Sequence, residues 1–268
     1  MSTVFNSYWG GCDLPPYARL SINSYVKQGH KYLLWTHDDL KNVPDGVIVK
    51  DANEIIPRQA FYERDNWKKC LSFSDWFRYK LLYERGGWWV DTDAVMMPGA
   101  EVPEGEIIFW RGASYHVMNG IMKVTPGMKF LRELCDLYER PLEDLDYHWI
   151  PRGSYARDKK DLTKGDASEV RAQLNFNYGG PDYFGHAIQG YKLLKYGILF
   201  DAAGKPQAVW PDWKDASLVF SGKLTLQGLR CKNVWNLHLW GSCIRREKLW
   251  DNIHPDSAVQ QLIDIFGC

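Results

Sequence analysis

Between Ser72 and Met97 the chain reads SFSDWFRYKLLYERGGWWVDTDAVMM. This run, a helix followed by a glycine stop, a strand and two aspartates one residue apart, constrains the fold more than any other stretch. The helix is predicted over Leu71 to Glu84, and its apolar residues fall almost all the way round: Leu71, Phe73, Trp76, Phe77, Tyr79, Leu81, Leu82 and Tyr83. A helix that is apolar on every side is buried on every side. Asp75 and Arg78 nevertheless share one face of it, on the stripe of Leu71 and Leu82. Buried charges are costly unless paired or hydrogen-bonded. The two are therefore either a structural ion pair or the lining of a polar ligand site.

Gly86-Gly87 ends the helix, because glycine takes the left-handed position after a helix at little cost. Trp88, Trp89 and Val90 read as a short buried strand. Asp91 and Asp93 come where that strand should finish, and in α/β sheets ligands bind beyond the carboxyl ends of strands. Two carboxylates there suit a hard divalent cation such as Mg²⁺ or Mn²⁺. Asp-x-Asp alone is weak, since turns are rich in Asp; the preceding helix and Gly-Gly make it stronger.

As a block, Ser74-Asp75-x-x-Arg78, Leu81-x-Tyr83, Gly86-Gly87 and Val90-Asp91-x-Asp93 resemble the sugar-binding DXD region of retaining glycosyltransferases. The group most similar is glycosyltransferase family 32, with its capsular-polysaccharide and lipopolysaccharide sugar transferases and yeast Golgi mannosyltransferases; the glucosylating clostridial toxins share the pattern. The resemblance implies a GT-A-type nucleotide-sugar-binding fold and metal-dependent hexose transfer with retention. It also implies a UDP- or GDP-sugar donor and a glycan or glycolipid acceptor, as in surface polysaccharide synthesis.

Further blocks fit it. Tyr8-Trp9-Gly10-Gly11 is similar to the family's first strand end, where an aromatic stacks on the donor base; either ring can be meant, because neighbours on a strand point to opposite faces. Asn119 matches an Asn that contacts the donor sugar. Gly180-Pro181-Asp182 resembles a Gly-Pro block on the acceptor side, with Asp182 either a helix cap or a catalytic group. His238-Leu239-Trp240-Gly241-Ser242 looks like the segment that closes the metal site, with His238 or Ser242 completing the set begun by Asp91 and Asp93. Arg245 and Arg246 follow at once, and a guanidinium matches phosphate geometry.

The remaining chain agrees with an α/β class. A strand over Thr3 to Trp9, a helix over Tyr17 to Lys27 behind Pro15-Pro16, and a strand over Tyr32 to Thr36 make a βαβ opening, which argues for a mostly parallel central sheet flanked by helices. A short strand at Val47 to Val49 and a helical turn at Asn53 to Ile56 follow. Strands are expected at Glu106 to Trp110, His116 to Val124 and Val234 to Leu239. Helices are expected at Gly127 to Tyr138, Tyr183 to Leu194 and Asp256 to Phe266. The polar stretch 139–170 reads as an excursion from a single catalytic domain, suited to a lid or acceptor segment. Its Arg152, Arg157 and charged run 158–161 read as solvated surface.

Lys+Arg and Asp+Glu balance at 33 each, so no polyanion partner and no nucleic acid is expected. The six cysteines include no CxxC pair, which fits reduced thiols in the cytoplasm. No secretory signal or membrane helix is legible, leaving at most a peripheral association with the inner membrane face.

Two rivals remain. Asp91-Thr92-Asp93-Ala94-Val95 also matches the first motif of haloacid dehalogenase-type phosphatases, with Asp91 as nucleophile. That motif leaves Asp75, Arg78 and Gly86-Gly87 unexplained. A non-catalytic sugar-binding module would need no metal set.

Overall fold

The computed structural model describes residues 2–60, 67–111, 117–140, 144–150, 178–199, 208–210, 213–231 and 234–268. Most of the excursion expected at 139–170, with Arg152, Arg157 and the run 158–161, lies outside them.

Strand β1 (Val4–Tyr8) is followed by helix α1 (Pro16–Val26), which starts with Pro15 at its cap and Pro16 in its first turn. Strand β2 (Lys31–Thr36) lies parallel to β1 with Trp35 opposite Tyr8. Strand β3 (Ile48–Asp51) leads into a short 3-10 turn, Ala52–Glu54, capped by the Asp51 side chain on Asn53 N–H. The long helix α2 (Trp67–Arg85) precedes β4 (Gly87–Val90) and β5 (Ala94–Met96). Strands β6 (Ile108–Arg111) and β7 (Val117–Val124) pair antiparallel. Helices α3 (Lys129–Glu139) and α4 (Tyr183–Gly190) come next. Then come β8 (Gly197–Leu199), β9 (Ala208–Trp210), α5 (Leu226–Cys231), β10 (Val234–His238), α6 (Gly241–Glu247) and α7 (Ala258–Phe266). The class is α/β, with a mostly parallel sheet flanked by helices, as expected.

The chain forms two compact units. The first comprises Met1–Lys50, Val90–Gly105 and Ile198–Cys268; the second comprises Asp51–Trp89 and Glu106–Gly197. In the first, the strands run in the order β3-β2-β1, and a small second sheet has the order β5-β10-β9. Helix α1 is fastened to that small sheet by polar bonds as well as by its buried Leu20, Ile22 and Tyr25. Ser21 Oγ donates to Ala94 O at 2.7 Å, Ser24 Oγ accepts from Met96 N at 2.9 Å, and Asn236 Nδ2 donates to Tyr25 OH at 2.6 Å. Ser7 Oγ bonds to Val90 O and to Tyr32 OH. Because buried polar groups are costly unless satisfied, these bonds fix the residues that flank Asp91 and Asp93.

In the second unit β4, β7 and β6 lie side by side in that order. Helix α2 is buried from Ser72 through Leu82 apart from the half-exposed Ser74 and Lys80, as its all-round apolar pattern requires. Trp76 stacks on Tyr138 of α3 and Tyr79 on Phe184 of α4, at ring separations of 6.0 and 6.1 Å. The helix ends where expected: Gly86 is left-handed at φ 62 and its N–H reaches Leu82 O at 2.9 Å. A Cβ there would also lie 2.6 Å from Pro126 Cδ, so conformation and space both demand glycine.

Some boundaries differ for local reasons. Helix α3 starts at Lys129 and not at Gly127, because Gly127 is left-handed at φ 76. Helix α4 ends at Gly190 and not at Leu194, shortly before Lys192, which has turned to φ 57. The C-terminal helix starts at Ala258, with Ser257 as the cap receiving Gln260 N–H at 3.1 Å. Among the described residues no helix is long and apolar enough to cross a membrane. Cys12, Cys135, Cys243 and Cys268 carry free thiols.

Candidate functional site

In the first unit Asp91, Asp93 and His238 come together, each offering one ligand atom, all within 4.8 Å of one another. His238 is 145 residues from Asp93 in sequence and reaches it because β10 pairs antiparallel with β5, placing His238 opposite Ala94. Asp93 is held on several sides. His238 Nε2 lies 3.1 Å from Oδ1, Gly241 N–H donates to Oδ2 at 2.6 Å, and Leu239 N–H donates to the Asp93 carbonyl at 2.7 Å. Burial pushes this carboxyl up, but the His238 charge and hydrogen bond and the Gly241 N–H outweigh it and bring it down to about 2. Two carboxylates and an imidazole in this compass are a donor set that can hold a divalent metal ion.

The link from β10 to α6 makes this possible. Trp240 adopts a left-handed backbone at φ 56, unusual for a bulky residue and costing on the order of 1–3 kcal/mol. Its ring lies against His238, with centroids 4.2 Å apart. The next residue must be small: a Cβ on Gly241 would lie 3.1 Å from Asp93 Oδ2 and 3.4 Å from the Tyr17 hydroxyl. Tyr17 OH in turn accepts from Arg245 at 2.8 Å. Arg246 instead pairs with Glu247 at 2.7 Å on the exposed surface. Of the two arginines proposed for phosphate, only Arg245 is tied to a residue that packs beside the carboxylate. Ser242 is exposed, and the ligand set contains His238.

Tyr8 and Trp9 also separate. Tyr8 is buried, and its hydroxyl lies 3.1 Å from His37 Nδ1. Trp9 is half-buried, with its indole N–H on Asp13 O at 3.1 Å.

The second unit holds a buried polar cluster. Asp75 Oδ1 and Arg78 Nη1 are 3.3 Å apart, with residue exposures of 6 % and 4 %. Arg78 Nη1 also donates to Asn119 O at 2.7 Å, and the guanidinium lies 4.9 Å from the Trp89 ring. Asn119 Nδ2 donates to Asp75 Oδ1 at 2.7 Å and to Tyr79 OH at 2.9 Å. Tyr79 OH donates to Gly180 O at 3.3 Å. Gly180 interrupts the turn Tyr178–Asp182 with non-helical angles, and a Cβ on it would lie 2.8 Å from Asp75 Oδ2. The sequence-predicted Asp75, Arg78 and Asn119 are thus joined. Asp182 is exposed, has helical φ/ψ and makes no side-chain cap bond to α4, so the capping alternative is not realised.

Gly180, Trp240 and Gly241 belong to the sequence motifs without a role of their own, and Tyr17 and Tyr79 are read from the sequence only as helix residues. The spacing of Tyr79, four residues after Asp75 on one helix, is the signal that could have found it.

No family model matches the chain, and no curated protein matches it. Among solved structures the chain is similar to the PaToxG glycosyltransferase, at 14 % identity and a TM-score of 0.44, with 73 % of this chain and 70 % of that one covered. It is also similar to the UDP-bound glycosyltransferase domain of the YGT toxin, at 10 % identity and a TM-score of 0.46, with 74 % and 78 % covered. The ligand-free form of that domain gives 10 % identity and a TM-score of 0.43, with 74 % and 79 % covered.

Proposed function

We propose that the chain is a GT-A-type glycosyltransferase, metal-dependent and retaining, that moves a hexose from a nucleotide sugar to a glycan or glycolipid. The observation that carries this reading is the convergence of Asp91, Asp93 and His238 within 4.8 Å. A sugar-binding module would have no use for that set. A phosphatase reading through Asp91 would leave the buried Asp75, Arg78 and Asn119 without a role.

Asp91, Asp93 and His238 would hold Mn²⁺ or Mg²⁺. Bound there, the cation supplies Lewis-acid neutralisation of the charge developing on a departing nucleoside diphosphate. Arg245, steadied by Tyr17, donates to phosphate oxygens. Arg246, already paired with Glu247, has the weaker case. Asp75 accepts hydrogen bonds from sugar hydroxyls, and Arg78 holds it in place; such contacts fix the sugar in a reactive pose. Trp9 is the better stacking ring for the base, because Tyr8 is buried and bonded to His37. Asp182 is retained as a catalytic candidate, its replacement testing for a base beyond the diphosphate itself. The acceptor is a lipid-linked or nascent surface glycan at the cytoplasmic membrane face.

The deciding experiment needs no acceptor. UDP-galactose, UDP-glucose, UDP-N-acetylglucosamine and GDP-mannose are each incubated with the protein, with and without Mn²⁺, and free nucleotide is measured. Hydrolysis of at least one donor, abolished by EDTA and restored by metal, is expected. Absence of both binding and turnover with every donor would sink the reading; full activity in EDTA would remove the metal from it.

A further inference from the structure

Tyr79 lies one turn along α2 from Asp75 and is fully buried. Its hydroxyl connects two segments far apart in sequence, receiving Asn119 Nδ2–H at 2.9 Å and donating to Gly180 O at 3.3 Å. The remaining Nδ2 hydrogen of Asn119 goes to Asp75 Oδ1 at 2.7 Å. An ionised carboxylate can only accept, and a carboxamide carries its donors on nitrogen alone. Chemistry therefore dictates which way the Asn119 amide faces. Both of its N–H groups are used, and among the described residues nothing donates to its Oδ1. Burial first, and then the Asp75 charge, hold the Tyr79 hydroxyl well above its ordinary range, so it keeps its proton and remains a donor to Gly180.

We propose that Tyr79 is a positioning residue: with Asp75 it locks the Asn119 amide so that the atom left for a ligand is an acceptor, Oδ1. The cluster then selects a sugar that brings a hydroxyl hydrogen to that place. This rests on the nucleotide-sugar reading above and adds a polarity to it. A sugar with fluorine in place of that hydroxyl keeps its size but leaves Oδ1 facing a second acceptor. Removing the Tyr79 hydroxyl takes away one of the two anchors, and the amide, held by Asp75 alone, no longer keeps Oδ1 at a fixed angle to the ligand.

The test uses whichever nucleotide sugar the protein hydrolyses best, with analogues bearing fluorine at one sugar hydroxyl each. The value of kcat/KM is measured for each donor with the wild-type protein and with Tyr79→Phe, both well below their melting temperatures. The wild-type protein should reject one analogue by roughly 10- to 100-fold. Tyr79→Phe should shrink that single penalty several-fold and leave the others unchanged. A purely structural Tyr79 would slow all donors by one common factor, and that result overturns the proposal. So does a wild-type protein that accepts every analogue alike. If Tyr79→Phe does not fold, Asn119→Ala decides, since it should erase the same single penalty; persistence of the penalty overturns the assignment. Failure of the wild-type protein to bind or turn over any nucleotide sugar removes the underlying reading, and this inference with it.

Discussion

Replacing Asp75 by Asn separates a structural ion pair from a sugar-binding one. Breaking a buried pair by removing one charge costs ~3–5 kcal/mol in general. The cost here should be lower, because Arg78 keeps Asn119 O at 2.7 Å and the Trp89 ring at 4.9 Å. Asn also preserves an oxygen to accept from Asn119. We therefore expect a loss of about 2–3 kcal/mol, below the general range. For a chain of this size that lowers the melting temperature by roughly 5–10 °C. If Asp75 accepts from sugar hydroxyls, the same change weakens charge-assisted bonds worth about 1.5–3 kcal/mol each. Donor hydrolysis should then fall by roughly one to two orders of magnitude at a temperature where the variant is fully folded. The double variant Asp75→Asn/Arg78→Met removes the stranded cation and should recover most of the melting temperature. It should stay inactive. Thermal melts and donor hydrolysis on the same preparations give both readouts. A double variant that is stable and fully active would refute the reasoning and reduce the pair to a structural one.

Gly241→Ala should weaken metal-dependent turnover while leaving nucleotide binding in EDTA unchanged, since the new Cβ meets Asp93 Oδ2 at 3.1 Å; a titration with Mn²⁺ checks it. Trp9→Ala should weaken nucleotide binding by ~1–3 kcal/mol, the range for base–aromatic stacking, whereas Tyr8→Phe should change it little; calorimetry would expose the reverse order. Gly86→Ala, strained at φ 62 and crowded by Pro126, should lower stability by about 1–3 kcal/mol with activity per folded molecule unaltered, read from a denaturant melt. In EDTA-treated protein the depressed Asp93 carboxyl contributes stability that is present above about pH 4 and is lost as the pH falls towards about 2. Asp93→Asn should flatten that acid limb of the melting-temperature profile.

The sequence makes legible those features that follow from local rules. Helix α2, its glycine stop and β4 come from apolar pattern and glycine conformation, and the burial of Asp75 and Arg78 follows from the same pattern. The grouping of His238 with the two aspartates was legible only through the resemblance, because no local rule spans 145 residues. Asp182 shows the limit of capping logic. A carboxylate just before a helix suggests a cap, yet its backbone is already helical, so its side chain is not placed to receive the first free N–H groups. The Tyr17–Arg245 bond spans 228 residues and depends on α1 being fastened beside β5, a tertiary event with no sequence signature. Trp240 is the hardest case: propensity argues against a left-handed Trp, and only contacts elsewhere can stabilise it.

Each of the two units places a carboxylate against a glycine. Asp93 accepts the Gly241 N–H at 2.6 Å, and a Cβ on Gly241 would crowd the same oxygen at 3.1 Å. Asp75 Oδ2 faces Gly180, where a Cβ would come within 2.8 Å. Neither glycine has a left-handed backbone. Space is limited at both: a side chain at either position would push the carboxylate away or displace the backbone. An Asp held this way has a fixed rotamer before any ligand arrives, and the ordering cost of binding is correspondingly smaller. A pair serving only stability would gain little from such close backbone approach. A group that must meet a ligand in one geometry gains from it directly. Gly180→Ala distinguishes the two. Its Cβ should displace the Asp75 carboxylate and so cut donor turnover by a larger factor than its loss of stability. Equal losses of stability and turnover would mean that Asp75 is seated for packing alone.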